Sequence, residues 1–340
     1  MTQENKPEKI LIIGPAWVGD MVMAQTLFKC LAKDNATIDV LAPNWSRPLL
    51  ERMPEVRYAI AMPLGHGEFD LKQRYQIGKS LRKEAYDRCI VLPNSFKSAL
   101  IPFFAKIPKR IGWLRELRGI LLTEGRKLDK AQYPLMIERF MALAYAKNTP
   151  LKQPYPKPSF SVDSANVELA LTKHQLTRDK SITVMCPGAE FGPAKRWPEQ
   201  HYAVVANHLL DKGGKVWLMG SKKDAEVTNE INRLTQNRCH DLAGATSLGE
   251  AIDLMSLADC VVTNDSGLMH IAAALNRPLV AVYGSSSPQF TPPLAEKVAI
   301  VRKGLACSPC FKRICPLGHL NCLKQLAPNE VLTALNQLNT

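Results

Sequence analysis

Short apolar runs that stop abruptly at Gly, Pro or Asn recur along the chain, with stretches of helical spacing between them. In the first half the runs are ILIIG (10–14), IDVLAP (38–43), YAIAMP (58–63) and CIVLPN (89–94), separated by segments such as MVMAQTLFKCLAK and SFKSALIPFFAK. A continuous apolar run that delivers the chain to a turn is what a parallel strand buried on both faces requires, and strand–helix alternation implies a doubly wound α/β sheet. Near residue 150 the rhythm breaks. The segment TPLKQPYPKPSF carries Pro150, Pro154, Pro156 and Pro158, which deny it a helix and favour an extended connector. The alternation then restarts with ITVMC, KVWLMG, CVVTND and PLVAVYG. At 340 residues the chain exceeds one comfortable core, so two Rossmann-like units are expected, residues 1–155 and 156–340, facing each other across a cleft. The second closes with an amphipathic helix in PNEVLTALNQL, for which Asn329 is a candidate cap.

No run approaches the roughly 20 apolar residues of a membrane span, and the first residues, MTQENKPEKI, are polar and without a signal-peptide core. The expected location is therefore the cytoplasm. With 44 Lys and Arg against 31 Asp and Glu, the formal charge is +13, which raises the local concentration of anionic partners. Nucleic acid, phosphorylated sugars and the anionic inner leaflet all qualify. No aromatic-basic recognition motif or helix-turn-helix supports the first.

In open α/β sheets ligands bind beyond the carboxyl ends of the strands, so the turns leaving the strands hold the candidate residues. In GPAWVGDMVMAQTL (14–27) an aspartate, Asp20, stands where a dinucleotide fingerprint would place its third glycine. Asp20 would repel a pyrophosphate. It either stabilises the helix dipole from the first turn or takes a proton from an attacking hydroxyl. In NDSGLMHIAAALNRP (264–278), Ser266 and Gly267 leave backbone N–H groups open to phosphate, and His270 follows one turn into the helix; Asp265 is either the helix cap or a ligand contact. CPGAEFGPAKRWP (186–198) ends in Lys195 and Arg196, and Lys195 suits a leaving diphosphate. In the first half, Asn94 and Lys97 are candidate acceptor contacts. Lys106, Lys109, Arg110, Arg115 and Arg118 are expected mostly as helix-surface charges, and the loop PLGHGEFDLKQR as a mobile cover over the acceptor.

Nine cysteines, an odd number, argue against a complete disulfide framework. Cys30, Cys89, Cys186, Cys239 and Cys260 lie mostly in apolar contexts and are expected as buried small hydrophobes. Cys307, Cys310, Cys315 and Cys322 are spaced by two, four and six residues in CSPCFKRICPLGHLNC; structural zinc and free thiols both remain open for them. No Asp-x-Asp stands at a strand end to hold a nucleotide's divalent ion.

GPAWVGDMVMAQTLF, RPLLERMPEV, MPLGHG, VLPNSFKSALIPFFA, CPGAEFGPAKRWP, DLAGATSL and TNDSGLMHIAAALNRPLVAVYGSSSPQFTPP together resemble the lipopolysaccharide heptosyltransferases of glycosyltransferase family 9. The resemblance implies a GT-B architecture with the acceptor on the first domain and ADP-heptose on the second. It implies inverting transfer of L-glycero-D-manno-heptose from ADP-heptose to the first heptose of the lipid A-inner core acceptor, without metal or cofactor, with peripheral contact at the inner membrane. By position, Asp20 matches the general base, Lys195 the diphosphate-binding lysine, and Ser266, Gly267 and His270 the donor-phosphate turn, with Asp265 in the same motif. Transfer one step earlier, onto Kdo2-lipid A, is the near alternative. A nicotinamide-dependent oxidoreductase is the distant one, disfavoured because IDVLAPN lacks an acidic strand end. The sequence departs from the family at GSKKDAE, where Lys222 and Lys223 precede Asp224, leaving the ribose contact unassigned.

Overall fold

The computed structural model describes residues 6–65 and 67–338; the polar first residues 1–5 and His66 of the PLGHGEFDLKQR loop lie outside them. Two compact units divide between Pro158 and Ser159. In the first, six parallel strands, β1 (Lys9–Ile13), β2 (Thr37–Pro43), β3 (Val56–Met62), β4 (Arg88–Val91), β5 (Lys109–Trp113) and β6 (Glu124–Arg126), are ordered β3-β2-β1-β4-β5-β6. In the second, β7 (Ile182–Cys186), β8 (Lys215–Leu218), β9 (His240–Asp241), β10 (Cys260–Asn264), β11 (Leu279–Val282) and β12 (Val298–Val301) are ordered β12-β11-β10-β7-β8-β9, again all parallel. The two orders are the same winding, so strand order reverses once in each unit, between β1 and β4 and between β7 and β10.

The central strands are buried throughout. Ile10 to Ile13 in β1 and Cys260 to Asn264 in β10 have apolar or internally bonded side chains with helices on both sides. Cores form around Leu11, Val91, Ala99 and Ile101 in the first unit and around Trp197, Tyr202, Val262 and Val280 in the second. Cys30, Cys89, Cys186, Cys239 and Cys260 are buried within these layers. Burial drives the Cys89 and Cys186 thiols far above their ordinary range, so both pack as neutral hydrophobes.

The glycine after β1 has a packing cause. A Cβ on Gly14 would lie 2.8 Å from the Met21 methyl, 3.0 Å from Ala42 and 3.2 Å from Val40, so Gly14 lets the Val18–Ala32 helix cross β2 closely. The closing helix spans Pro328–Leu338. Asn329, the expected cap, lies inside it, and the Glu330 carboxylate accepts the Ala327 N–H instead at 2.9 Å. β5 occupies part of the stretch read as helix-surface charge; it leads with Lys109 and Arg110 and lies between β4 and the edge strand β6. Among the described residues no helix is long and apolar enough to cross a membrane.

Helix Leu71–Leu81 meets helix Phe96–Phe104 at Gly78, where a Cβ would sit 2.6 Å from Phe104 Cβ and 2.8 Å from the Ile101 carbonyl oxygen. Backbone cannot yield as a side-chain tip can. Gly78→Ala is expected to cost about 1–3 kcal/mol through overpacking, read as a lower midpoint in urea unfolding; an unchanged midpoint would refute the contact.

Candidate active site

Asp20, Asn94, Lys97, Lys195, Asp265, Ser266, Gly267 and His270 all stand on a turn or helix start that leaves one of the four strands flanking the two reversal points. In the first unit, β1 hands the chain to the Val18–Ala32 helix, whose first turn carries Asp20. Asp20 is partly exposed. Trp17, at the N-cap position, makes no side-chain cap, so the helix's leading N–H groups and dipole act on the Asp20 carboxylate without a competing cap.

β4 delivers the second turn, Leu92 to Ser95, and a buried guanidinium builds it. Arg118 is 0% exposed. It donates to the Trp113 carbonyl at 2.8 Å, to the Pro93 carbonyl, to Ser98 Oγ at 3.3 Å and to Asn94 Oδ1 at 3.2 Å. Burial pushes its pKa down to about 10, which still leaves it charged at neutral pH. This corrects the expectation of a helix-surface charge: five N–H donors on a rigid plane suit a turn that offers the Pro93 carbonyl, Asn94 Oδ1 and Ser98 Oγ together. Arg110 likewise departs from that expectation, since its guanidinium donates to the carbonyls of Leu121 at 2.7 Å and Ile107 at 2.5 Å. Because Arg118 occupies Asn94 Oδ1, the Asn94 amide has its N–H groups left for a ligand. Lys97 donates to the Glu68 carbonyl at 3.0 Å. Buried Arg74 binds the carbonyls of Glu68, Phe69 and Lys97 at 2.9, 2.6 and 3.2 Å, so the described part of the expected cover loop is clasped onto the β4 turn.

In the second unit the turn after β7 brings Lys195 to Asp265, with Nζ 2.6 Å from Oδ2. Asp265 is buried and follows β10 directly. Ser266, not Asp265, is the N-cap of helix Gly267–Ala274; it is extended and makes no side-chain cap. The carboxylate that could have capped the helix is instead committed to the lysine, which keeps two ammonium protons for other acceptors. His270 is buried one turn in. Its pKa falls to about 4, chiefly through desolvation, with Asp265 opposing and Lys195 reinforcing the shift. The imidazole is therefore neutral at pH 7, and the fixed positive groups here are Lys195 and the helix dipole.

The contacts of Phe191, Arg313, Ser285 and Ser286 were not read from the sequence. Phe191 stacks under Lys195 at 5.0 Å and under Arg313 at 5.3 Å. The Arg313 carbonyl accepts the Ala194 N–H at 3.1 Å, and a Cβ on Gly192 would strike that carbonyl oxygen at 2.6 Å. The cysteine-bearing tail thus abuts the Lys195 turn. Cys307, Cys310, Cys315 and Cys322 form no disulfide and line one small cavity with Ala194 and Ser285, and among the described residues no three His, Cys, Asp or Glu side chains are placed to hold a metal. The Ser285 and Ser286 hydroxyls, buried after β11, have no hydrogen-bond partner among the described residues, a state that favours a polar ligand nearby. Asp224 is mostly spent internally: its carboxylate accepts from Ser221 N and Oγ at 2.9 and 2.8 Å, and an added Cβ on Gly188 would lie 2.3 Å from it.

The profile of glycosyltransferase family 9 (heptosyltransferase) matches residues 74–321. The chain is 50% identical to lipopolysaccharide heptosyltransferase 2 of Escherichia coli K12, over 97% of this chain and 98% of that one. It is 54% identical to lipooligosaccharide heptosyltransferase 2 of Haemophilus influenzae, over 86% of this chain and 88% of the relative. The solved structure of E. coli ADP-heptose lps heptosyltransferase II superposes with a TM-score of 0.86 at 48% identity, covering 97% of this chain and 98% of that chain. The two six-stranded parallel sheets are those of a GT-B glycosyltransferase.

Because the folded pKa of His270 lies below the ordinary 6.5, the unfolded chain binds the extra proton first as pH falls. Stability should decline between about pH 6.5 and about pH 4, by up to about 3 kcal/mol. NMR titration should keep His270 neutral at pH 6, and His270→Gln should flatten that part of the stability profile; a His270 that protonates near pH 6.5 would contradict the geometry.

Proposed function

The chain belongs to glycosyltransferase family 9, and from that premise we propose that it transfers L-glycero-D-manno-heptose from ADP-heptose to the first heptose of the lipopolysaccharide inner core. The observation that carries this reading is the Lys195–Asp265 pair set against the open start of helix Gly267–Ala274. Ammonium and backbone N–H groups gathered on one sheet edge suit a diphosphate leaving group. The names of relatives about half identical to this chain support the second heptose addition over the first.

In the proposed step, the acceptor hydroxyl attacks the anomeric carbon while the bond from that carbon to the diphosphate oxygen breaks. Asp20 takes the hydroxyl proton, and ADP departs with the electron pair. One displacement inverts the anomeric centre. Lys195 and the N–H groups of Ser266 and Gly267 receive the developing phosphate charge, Asp265 holds Lys195 in place, and neutral His270 fills the wall behind them. Ser285 and Ser286 offer hydroxyl donors to the same phosphates. On the acceptor side, the Asn94 amide and Lys97 bind sugar hydroxyls and charged groups of the inner core. The acceptor is lipid-linked, so the reaction belongs at the cytoplasmic face of the inner membrane.

Asp20→Ala should lower kcat by about 10²–10⁴ with ADP-heptose affinity retained; normal turnover would remove Asp20 as the base. Lys195→Ala should raise the donor KM at least about tenfold and leave the acceptor KM in place; unchanged donor kinetics would refute the diphosphate role. Mass spectrometry should detect addition of one heptose to an acceptor bearing Kdo plus heptose. Addition to an acceptor bearing Kdo alone would move the assignment one step earlier.

A further inference from the structure

The loop from β5 to β6 spends apolar side chains on solvent. Leu117 is 90% exposed, Ile120 79% and Leu114 48%. Scattered exposed leucines need no explanation, but these belong to one patch. Leu114 packs over Gly119, whose added Cβ would meet the leucine methyl at 3.2 Å, which brings Leu114 beside the residue that precedes Ile120. Arg110 joins the patch to the preceding helix end. It donates to Leu121 next to Ile120 and lies 5.7 Å over the ring of Phe103, itself 42% exposed.

Charge around the patch is mostly positive, although Glu116, exposed within the loop, keeps its negative charge. Lys106 and Arg115 are exposed beside it. Glu116 accepts the Phe96 N–H at 2.8 Å, which turns its carboxylate toward the preceding helix start, and Glu124 is paired with Arg126. Leu117 is also held in the left-handed region, φ 56°, after Glu116 at φ 49°. A bulky residue rarely adopts that conformation, and here it holds an aliphatic tip outward. Buried Arg118 fixes the loop's base, and the same guanidinium holds the turn of Asn94.

Aliphatic tips flanked by Lys106 and Arg115 complement an anionic phospholipid surface, where the tips enter the acyl boundary and the cations meet headgroup phosphates. We infer that the Leu114–Ile120 loop, with Phe103, Lys106 and Arg115, docks this unit onto an anionic bilayer. A protein partner would demand shape complementarity, and a second copy of this patch would bring like charges together. This surface stands on exposure and charge alone. Its use in presenting a lipid-linked acceptor to the β4 turn rests on the proposed transfer reaction.

The test is sedimentation of the full chain with vesicles of phosphatidylethanolamine containing about one-quarter phosphatidylglycerol, against vesicles of phosphatidylcholine. The unaltered chain should bind the anionic vesicles and be largely released at about 0.5 M salt. Leu117→Ser with Ile120→Ser should lower partitioning at least about tenfold, and Arg115→Glu should weaken binding to anionic vesicles while circular dichroism stays unchanged. Turnover of a delipidated acceptor should be retained in these variants, which separates loss of docking from loss of fold. No binding by the unaltered chain, equal binding to both vesicle types, or undiminished binding by the double variant would overturn the inference. So would a concentration-dependent dimer abolished by the same substitutions. Vesicle binding needs neither donor nor acceptor, so failure of the transfer reading would leave this result interpretable.

Discussion

In each sheet the chain winds outward in both directions from one central pair of parallel strands, β1 with β4 and β7 with β10. Helices that follow such a pair pack on opposite faces, so their connecting turns diverge and leave a crevice at the carboxyl edge. That topological constraint decides where polar groups can converge without interrupting a core. Asp20, Asn94 and Lys97 follow β1 and β4; Lys195, Asp265, Ser266, Gly267 and His270 follow β7 and β10. Residues separated by some 70 positions in sequence, such as Lys195 and Asp265, meet because their strands are neighbours.

Placing charge at a sheet edge requires that the charge be held. The first unit uses guanidinium groups turned inward, Arg118 toward the β4 turn and Arg74 toward the loop before its helix. Each bonds mainly to backbone carbonyls, so loops that would otherwise carry unpaired oxygens gain rigid partners. The second unit uses a buried carboxylate to position a lysine. Burial of an ion pair is a weak source of stability, whereas fixing one ammonium beside an open helix start is a direct way to build an anion site. The neutral state of His270 fits that arrangement, since a second buried cation beside Lys195 would be repelled.

Much of this was legible from sequence because local rules govern it. Apolar runs ending in Gly, Pro or Asn disclosed the central strands, and the turn after each strand disclosed the candidate residues. What escaped depends on distant partners. Nothing local distinguishes Arg118 from Arg115, yet one is wholly buried and the other exposed; the difference lies in the Pro93, Asn94 and Ser98 acceptors about 20 residues away. β9 has two residues and β6 three, too short for any periodicity. Asp265 read equally as a helix cap or a ligand contact, because its lysine partner lies on another turn. Phe191 and Arg313 come together through the packing of the cysteine-bearing tail, which no spacing rule describes.

The same winding sets opposite charges beside the two helix starts, Asp20 in the first unit and Lys195 in the second. At Gly14 the missing side chain is used by Met21, Ala42 and Val40, so it permits close helix–strand packing. The helix dipole is then met by the chain's own carboxylate, Asp20. At Gly267 the helix begins after an extended serine that caps nothing, and the nearby carboxylate is already taken by Lys195. An external anion finds repulsion at the first turn and unclaimed donors at the second. Under the proposed chemistry this asymmetry is what a single-displacement transfer needs: a base that does not bind the leaving group, and a phosphate site that does not compete for the proton.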